Sequence, residues 1–300
     1  MCESALAEPP CHPRRIVFLG TPDDAVPTLV SLHEADFDIP LVVSQPDRRR
    51  GRGKQLVASP VKAAAIELGI PVSSELTDVL DVDADVAVVV AYGEIIPRSM
   101  LEVLPMVNLH FSLLPRWRGA APVERAILAG DEQTGVCVMQ LAPEIDTGSV
   151  YRQSTVSIDD RITAAKLRSK LAVLGAREMT DALSTGLSEP KAQDGEVVYA
   201  RKLESDDFQI DFASSSEQVM RRIRIGGAWT TFRGERFKIW EAEPTEEAAV
   251  GRPGTIAETL TLTGQGVLRL VTVQPAGKPP MAASAWVNGA HLELRERFGS

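Results

Sequence analysis

The chain has 300 residues, 44% of them hydrophobic and 24% charged, with 41 acidic against 32 basic residues and a formal net charge of −9. That length can bury a core without a metal or disulfide staple, and the composition excludes a disordered or collagen-like chain. No apolar run reaches the roughly eighteen residues of a membrane span, the charge disfavours a uniformly basic nucleic-acid binder, and Cys2, Cys11 and Cys137 are too scattered for a disulfide framework or a zinc cluster.

Residues 1–13 carry Glu3, Glu8 and three prolines without an apolar h-region, so they read as a disordered extension with no secretory signal. A cytoplasmic setting is expected. The run Ile16 to Gly20 predicts a buried strand, followed by a helix to about residue 33. Leu41, Val42 and Val43 predict the next strand, and Ser59 before Pro60 predicts an N-capped helix to about residue 68. Further strands are expected at 86–91, 106–111 and 136–141, with a helix at 122–130. A long helix at 162–183 carries Leu167, Leu171 and Leu174 on one face. Strands separated by helices imply an α/β domain over 14–189, with a doubly wound, mostly parallel sheet. Residues 190–207 are polar and irregular and read as a linker. Residues 208–300 hold one helix and short paired strands, 230–232 with 237–240 and 259–263 with 267–273. That pattern suggests a small, OB-like β-barrel domain.

Gly20-Thr21-Pro22-Asp23 stands where a dinucleotide fingerprint would, but it has one glycine of the three, and hydride transfer is disfavoured. The stretch 107–122 is richer in chemistry. On a strand Asn108, His110 and Ser112 face one way and Leu109 and Phe111 the other. Polar side chains on a buried strand need partners or a cavity, and the carboxyl edge of an open α/β sheet is where ligands bind. Asp146 follows the 136–141 strand, so it is expected at the same edge, within reach of His110. Taken singly, a strand histidine and an Asp-Thr-Gly turn are more often structural. Taken together, carboxamide, imidazole and carboxylate form an oxyanion donor and an acid/base pair without a strong nucleophile, which suits direct acyl transfer to an amine. Ser112 as a nucleophile lacks a GxSxG elbow, and four scattered histidines without HxxxH spacing argue against a metal. Asp47 is followed by Arg48, Arg49, Arg50, Arg52 and Lys54, interleaved with two glycines. The cluster is either a solvated surface or a flexible loop for phosphates. Used fully against RNA, it would give log K a slope of about −3 with log salt.

With these residues in view, the sequence resembles the methionyl-tRNA formyltransferase family from about residue 14 to about 292. The markers are Phe18 to Pro22, Gln45 to Arg48 with Gly51 to Lys54, Ser59 to Lys62, Val90 to Gly93, Asn108 to Pro122, Asp146 to Gly148, Tyr199 to Lys202, Gln274 to Lys278, and Asn288-Gly289. The resemblance implies Asn108, His110 and Asp146 as catalytic residues. It implies a folate contact through Ser112, Leu113, Leu114, Pro115, Tyr92 and Gly93, and a tRNA contact through Arg48, Arg49, Arg50, Arg52 and Lys54. It further implies 10-formyltetrahydrofolate as formyl donor, methionyl-initiator tRNA as acceptor, no metal in the chemistry, no membrane partner and a monomer. A formyltransferase for a small amine (a ribonucleotide or an amino sugar), a formyltetrahydrofolate hydrolase and a non-catalytic RNA-binding module are the alternatives. Three features depart from the family pattern. Phe111 stands where members often have Gly, and the strand register predicts that it faces away from the site. The run Arg48-Arg49-Arg50 replaces a more usual Arg-Pro-Ala. Ile225 to Trp229 carries Gly226-Gly227 in a segment usually rich in Asn and Pro. Residues 1–13 have no counterpart.

Overall fold

Ile16, Val17, Phe18 and Leu19 are fully buried in β1 (Arg15–Gly20), the strand around which the first half is built. The structure is a computed structural model that describes residues 5–49, 56–187, 189–293 and 296–299. After β1 come α1 (Val26–Glu34), β2 (Asp38–Val43), the short pair β3 (Arg48–Arg49) and β4 (Leu56–Val57), α2 (Pro60–Glu67) and β5 (Val72–Ser73). The chain continues through β6 (Val86–Val90), α3 (Arg98–Leu101), β7 (Met106–His110), β8 (Arg116–Gly119), α4 (Pro122–Ala129), β9 (Gln133–Gln140), β10 (Val150–Ser157), α5 (Ala164–Thr185) and β11 (Val198–Ala200). As Ser-Pro predicts, the Ser59 hydroxyl caps α2, accepting from the Lys62 N–H at 3.0 Å.

Seven strands form one sheet in the order β10-β9-β7-β6-β1-β2-β5. Pairs from β5 to β7 are parallel, and β7 with β9 and β9 with β10 are antiparallel. The chain leaves β1 toward β2 on one side and later returns on its other side as β6. The order therefore reverses at β1, where open α/β sheets form ligand crevices. Gly20 closes β1 for reasons of space: a Cβ there would stand 2.8 Å from Phe18 Cε1 and 3.0 Å from Ala25 Cβ.

The stretch read from sequence as a linker contains β11, which pairs in parallel with β8, Tyr199 opposite Arg118 and Ala200 opposite Gly119. The two backbones approach so closely that a Cβ on Gly119 would lie 2.8 Å from the Ala200 carbonyl oxygen, and Gly119 has φ +116°. Only glycine fits.

The chain divides into two compact units: Met1–Val123 with Gln133–Ser157 and Arg168–Arg201, and Glu124–Glu132 with Ile158–Leu167 and Lys202–Ser300. The second unit carries α6 (Ser216–Arg224), β12 (Trp229–Phe232), β13 (Glu235–Thr245), β14 (Ile256–Ala257), β15 (Leu260–Leu262), β16 (Val267–Gln274), β17 (Met281–Ala282) and α7 (Ala283–Ala290). Its antiparallel sheet runs β12-β13-β16-β15-β14 with β17 beside β16. Phe212, Phe232, Phe237, Trp286 and Phe298 pack at its centre, with ring centroids 4.7 to 6.0 Å apart. The hairpins expected from the turn glycines are present, and residues 296–299 run between the end strands β14 and β12: Ile256 N–H donates to the Glu296 carbonyl at 2.8 Å, and Gly299 N–H to the Thr231 carbonyl at 2.9 Å.

Two substitutions and one control test this framework. Leu19→Ala in the buried centre of β1 lowers unfolding free energy by about 2–5 kcal/mol, and Gly119→Ala lowers it by about 1–3 kcal/mol through backbone strain. Val173→Ala, on the solvent side of α5, changes it by less than about 0.5 kcal/mol. Urea unfolding monitored by tryptophan fluorescence measures all three.

Candidate active site

Asn108 and His110 lie on β7, at 9% and 6% exposure, with Asn108 in register opposite Val89 of β6. Leu109 packs between them against Gly175 of α5, where a Cβ would come within 2.6 Å of Leu109 Cδ2. The strand alternation thus directs the leucine toward the helix, and Asn108 and His110 border a cavity of about 430 Å³. Tyr92 and Gly93, just past the end of β6, line the same cavity, as do Asp146, Asp24 and Arg168.

His110 Nε2 lies 2.9 Å from the Trp117 carbonyl oxygen. A carbonyl only accepts, so Nε2 carries a proton, and in the neutral ring Nδ1 is the bare nitrogen. Nδ1 faces Asp146 Oδ2 at 3.6 Å. The same carboxylate oxygen accepts from the Gly119 N–H at 2.7 Å. The backbone around Asp146 is also held: Gln193 Nε2 donates to the carbonyls of Asp146 and Gly148, each at 2.8 Å. Gln193 Oε1 in turn accepts from Arg118 Nε at 3.0 Å and Nη2 at 2.7 Å. Neither Gln193 nor Arg118 is singled out by sequence reasoning. A glutamine in a polar, irregular segment carries no local signal, and its partners are 45 to 75 residues away.

Asp146 lies beside His110 as expected, while the route to it and two further placements differ. It was expected there because it follows the 136–141 strand toward the same sheet edge. β9 instead runs antiparallel to β7, with Gln140 opposite Val107 and Cys137 opposite His110, so its end lies at the other edge. The 141–149 loop folds back to deliver Asp146. Ser112 does not continue the Asn108–His110 face, because β7 stops at His110; its buried hydroxyl donates to the Arg116 carbonyl at 2.6 Å. For the same reason Phe111 is not turned away from the site but lines the cavity.

The other residues implied by resemblance are placed as follows. Ser112, Leu113, Leu114 and Pro115 form the loop between β7 and β8 and are not among the cavity-lining residues; Leu114 packs with Cys137 and Met139. Arg48 lines a second cavity of about 240 Å³, which shares Ala91, Tyr92 and Gly93 with the first and adds Thr21 and Gln45. Arg49 is exposed on β3 beside it. Arg50, Arg52 and Lys54 lie outside the described residues.

Burial, with the Glu94 carboxylate adding to it, pushes the Tyr92 hydroxyl up to about 12, and that hydroxyl donates to Glu94 Oε2 at 3.3 Å. It stays protonated at neutral pH. Burial also raises Asp24 above the usual carboxylate range against the opposing pull of Arg168, 3.5 Å away. Cys137 is buried and its thiol is pushed up to about 11, which excludes an activated nucleophile there.

The sequence matches the formyl transferase family over residues 14–183 and the formyl transferase C-terminal domain over residues 202–291. It is 41% identical over 308 residues to a methionyl-tRNA formyltransferase of Thiobacillus denitrificans, covering 95% of this chain and 100% of that protein. An N-formyltransferase of Helicobacter canadensis, solved with folinic acid and dTDP-3-aminofucose, shares the fold at TM-score 0.64 and 18% identity, over 86% of this chain and 98% of that one. HypX of Aquifex aeolicus in complex with tetrahydrofolic acid does so at TM-score 0.63 and 18% identity, over 93% of this chain and 47% of that longer one. Identity of this extent along almost the whole length, with both family domains matched in order, makes the chain a member of the methionyl-tRNA formyltransferase family.

Proposed function

We propose that the chain moves the formyl group of 10-formyltetrahydrofolate to the α-amine of methionine esterified to initiator tRNA, with Asn108, His110 and Asp146 as its catalytic residues. The observation that carries this reading is the convergence of carboxamide, imidazole and carboxylate on one cavity, with His110 Nδ1 and Asp146 Oδ2 3.6 Å apart. The cavity size and its largely apolar wall (Val89, Ile95, Phe111, Leu141) suit a flat heteroaromatic donor, so the residues fit a folate. Bound there, the donor supplies an activated formyl carbon. Tyr92 and Gly93 form part of its pocket, and Ser112, Leu113, Leu114 and Pro115, on the loop between β7 and β8, are the further folate contacts of this proposal.

The attacking amine must lose a proton. With Nε2 committed to the Trp117 carbonyl, Nδ1 is the ring nitrogen free to take it, and Asp146 Oδ2 stabilises the imidazolium that forms. Where Asp146 takes the proton itself, its bond from Gly119 keeps the accepting oxygen in place. Asn108 presents its carboxamide N–H groups to the negative charge that grows on the formyl oxygen. Arg48, Arg49, Arg50, Arg52 and Lys54 act on the tRNA acceptor end through its phosphates, and the position of Arg48 on the cavity next to Tyr92 and Gly93 supports this.

The same proposal assigns a catalytic domain to 14–189, a linker to 190–207 and a tRNA-holding domain to 208–300; the family matches at 14–183 and 202–291 support it. It also takes the protein to be cytoplasmic, where charged tRNA is found, and to act as a monomer. No described helix is long and apolar enough to cross a membrane. A small-amine acceptor has weaker support: the neighbour solved with dTDP-3-aminofucose shares 18% identity, against 41% for the tRNA-modifying relative.

The direct test is incubation with radiolabelled formyl donor and either methionyl-initiator or methionyl-elongator tRNA. Label on the initiator methionine is the expected result; free formate without an acceptor would instead identify a hydrolase. Asn108→Ala, His110→Ala and Asp146→Asn each lower kcat/KM by at least about a hundredfold while the far-UV spectrum is unchanged. Arg48→Ala raises the KM for tRNA and flattens its salt dependence, with the KM for the formyl donor unaltered, as steady-state kinetics at two ionic strengths would register.

A further inference from the structure

We infer that Gln193 and Arg118 are positioning residues for Asp146, which makes the segment between α5 and β11 a working part of the active site. This rests on the role proposed above for Asp146. The Gln193 amide is fixed at both ends. Its Nε2 gives one hydrogen bond each to the carbonyls of Asp146 and Gly148, and its Oε1 receives two from the Arg118 guanidinium. Carbonyls only accept and guanidinium only donates, so the amide has a single orientation that satisfies all four contacts. A carboxylate in its place would meet the two carbonyls oxygen to oxygen. An apolar side chain would meet none of the four.

Asp146 needs such support. It sits at φ +51°, a conformation that residues with a side chain seldom adopt, on a loop that has doubled back from the far edge of the sheet. Two attachments hold it there, and both start from β8. Gly119 grips the carboxylate through its N–H, and Arg118, through Gln193, grips the carbonyls of Asp146 and Gly148. The neighbouring residue Trp117 receives His110 Nε2–H. Arg118 and Gln193 thereby tie the carboxylate's backbone to the strand that orients the imidazole. A displacement of about 1 Å between reacting groups can cost on the order of a hundredfold in rate.

Two variants test the inference. Gln193→Glu keeps size and the Arg118 partner but turns oxygen toward both carbonyls, and Gln193→Met removes every polar contact at similar volume. Each is expected to reduce kcat by about 10- to 100-fold with the KM for both substrates within about threefold of the unsubstituted enzyme. Combined with Asp146→Asn, neither is expected to reduce single-turnover formyl transfer further, because the group they position has been neutralised. Unchanged kcat in both variants overturns the inference. So does a loss that multiplies in the Asp146→Asn background, or one that appears as a matched rise in KM with a lowered unfolding temperature, since those mark a structural role. Full activity of Asp146→Asn alone is a different failure: it removes Asp146 from the mechanism, and the comparison of single variants separates the two cases.

Discussion

The geometry of the cavity's imidazole and carboxylate depends on the backbone of one four-residue strand. Within β8 the Trp117 carbonyl takes the Nε2 proton of His110, and the Gly119 N–H binds Asp146 Oδ2. Backbone groups serve this purpose well, because a peptide carbonyl or N–H has no rotamers and cannot change protonation. One strand therefore fixes the histidine tautomer and the carboxylate position together. The distance between imidazole and carboxylate becomes a property of the chain trace.

That trace is strained at three points. Ala91, Trp117 and Asp146 have φ of +47°, +67° and +51°, values that cost about 1–3 kcal/mol each in residues with a side chain. All three border the site. Their cost is offset by the surrounding framework. The Arg116 guanidinium lies 4.6 Å over the Trp117 ring, β11 pairs alongside β8, and Thr21 Oγ1 donates to the Tyr92 carbonyl just after Ala91. The buried strands behind them make the anchorage rigid, with Val86 to Val90 of β6 at 5% exposure or less. The hydrophobic core thus supplies the free energy that allows a strained polar site at its rim.

The sheet topology sets where that rim is used. β1 is the strand at which the order reverses, and the two cavities sit side by side past the ends of β1, β2, β6 and β7. They share Ala91, Tyr92 and Gly93, so a ligand in one touches the wall of the other. The antiparallel strands β9 and β10 extend the sheet on the side of β7, and the loop between them carries Asp146.

Local pattern in the amino-acid sequence determined most of the architecture. Buried strands at 16–20 and 86–90, the Ser59 cap, the long helix and the paired strands of the second unit follow from period, caps and turns, all of which act over a few residues. Two of the polar side chains on the cavity wall were also legible, since Asn108 and His110 are spaced by two on a strand that had to be buried. What the sequence could not express was the company those side chains keep. β9 reversed direction, β7 ended two residues before Ser112, Phe111 joined the cavity wall, and a presumed linker contributed Gln193. Each of these turns on contacts between residues tens of positions apart. Hydrogen bonds such as Gly119 to Asp146 or Gln193 to Arg118 leave no periodic trace, because their energy depends on where distant backbone segments meet after folding.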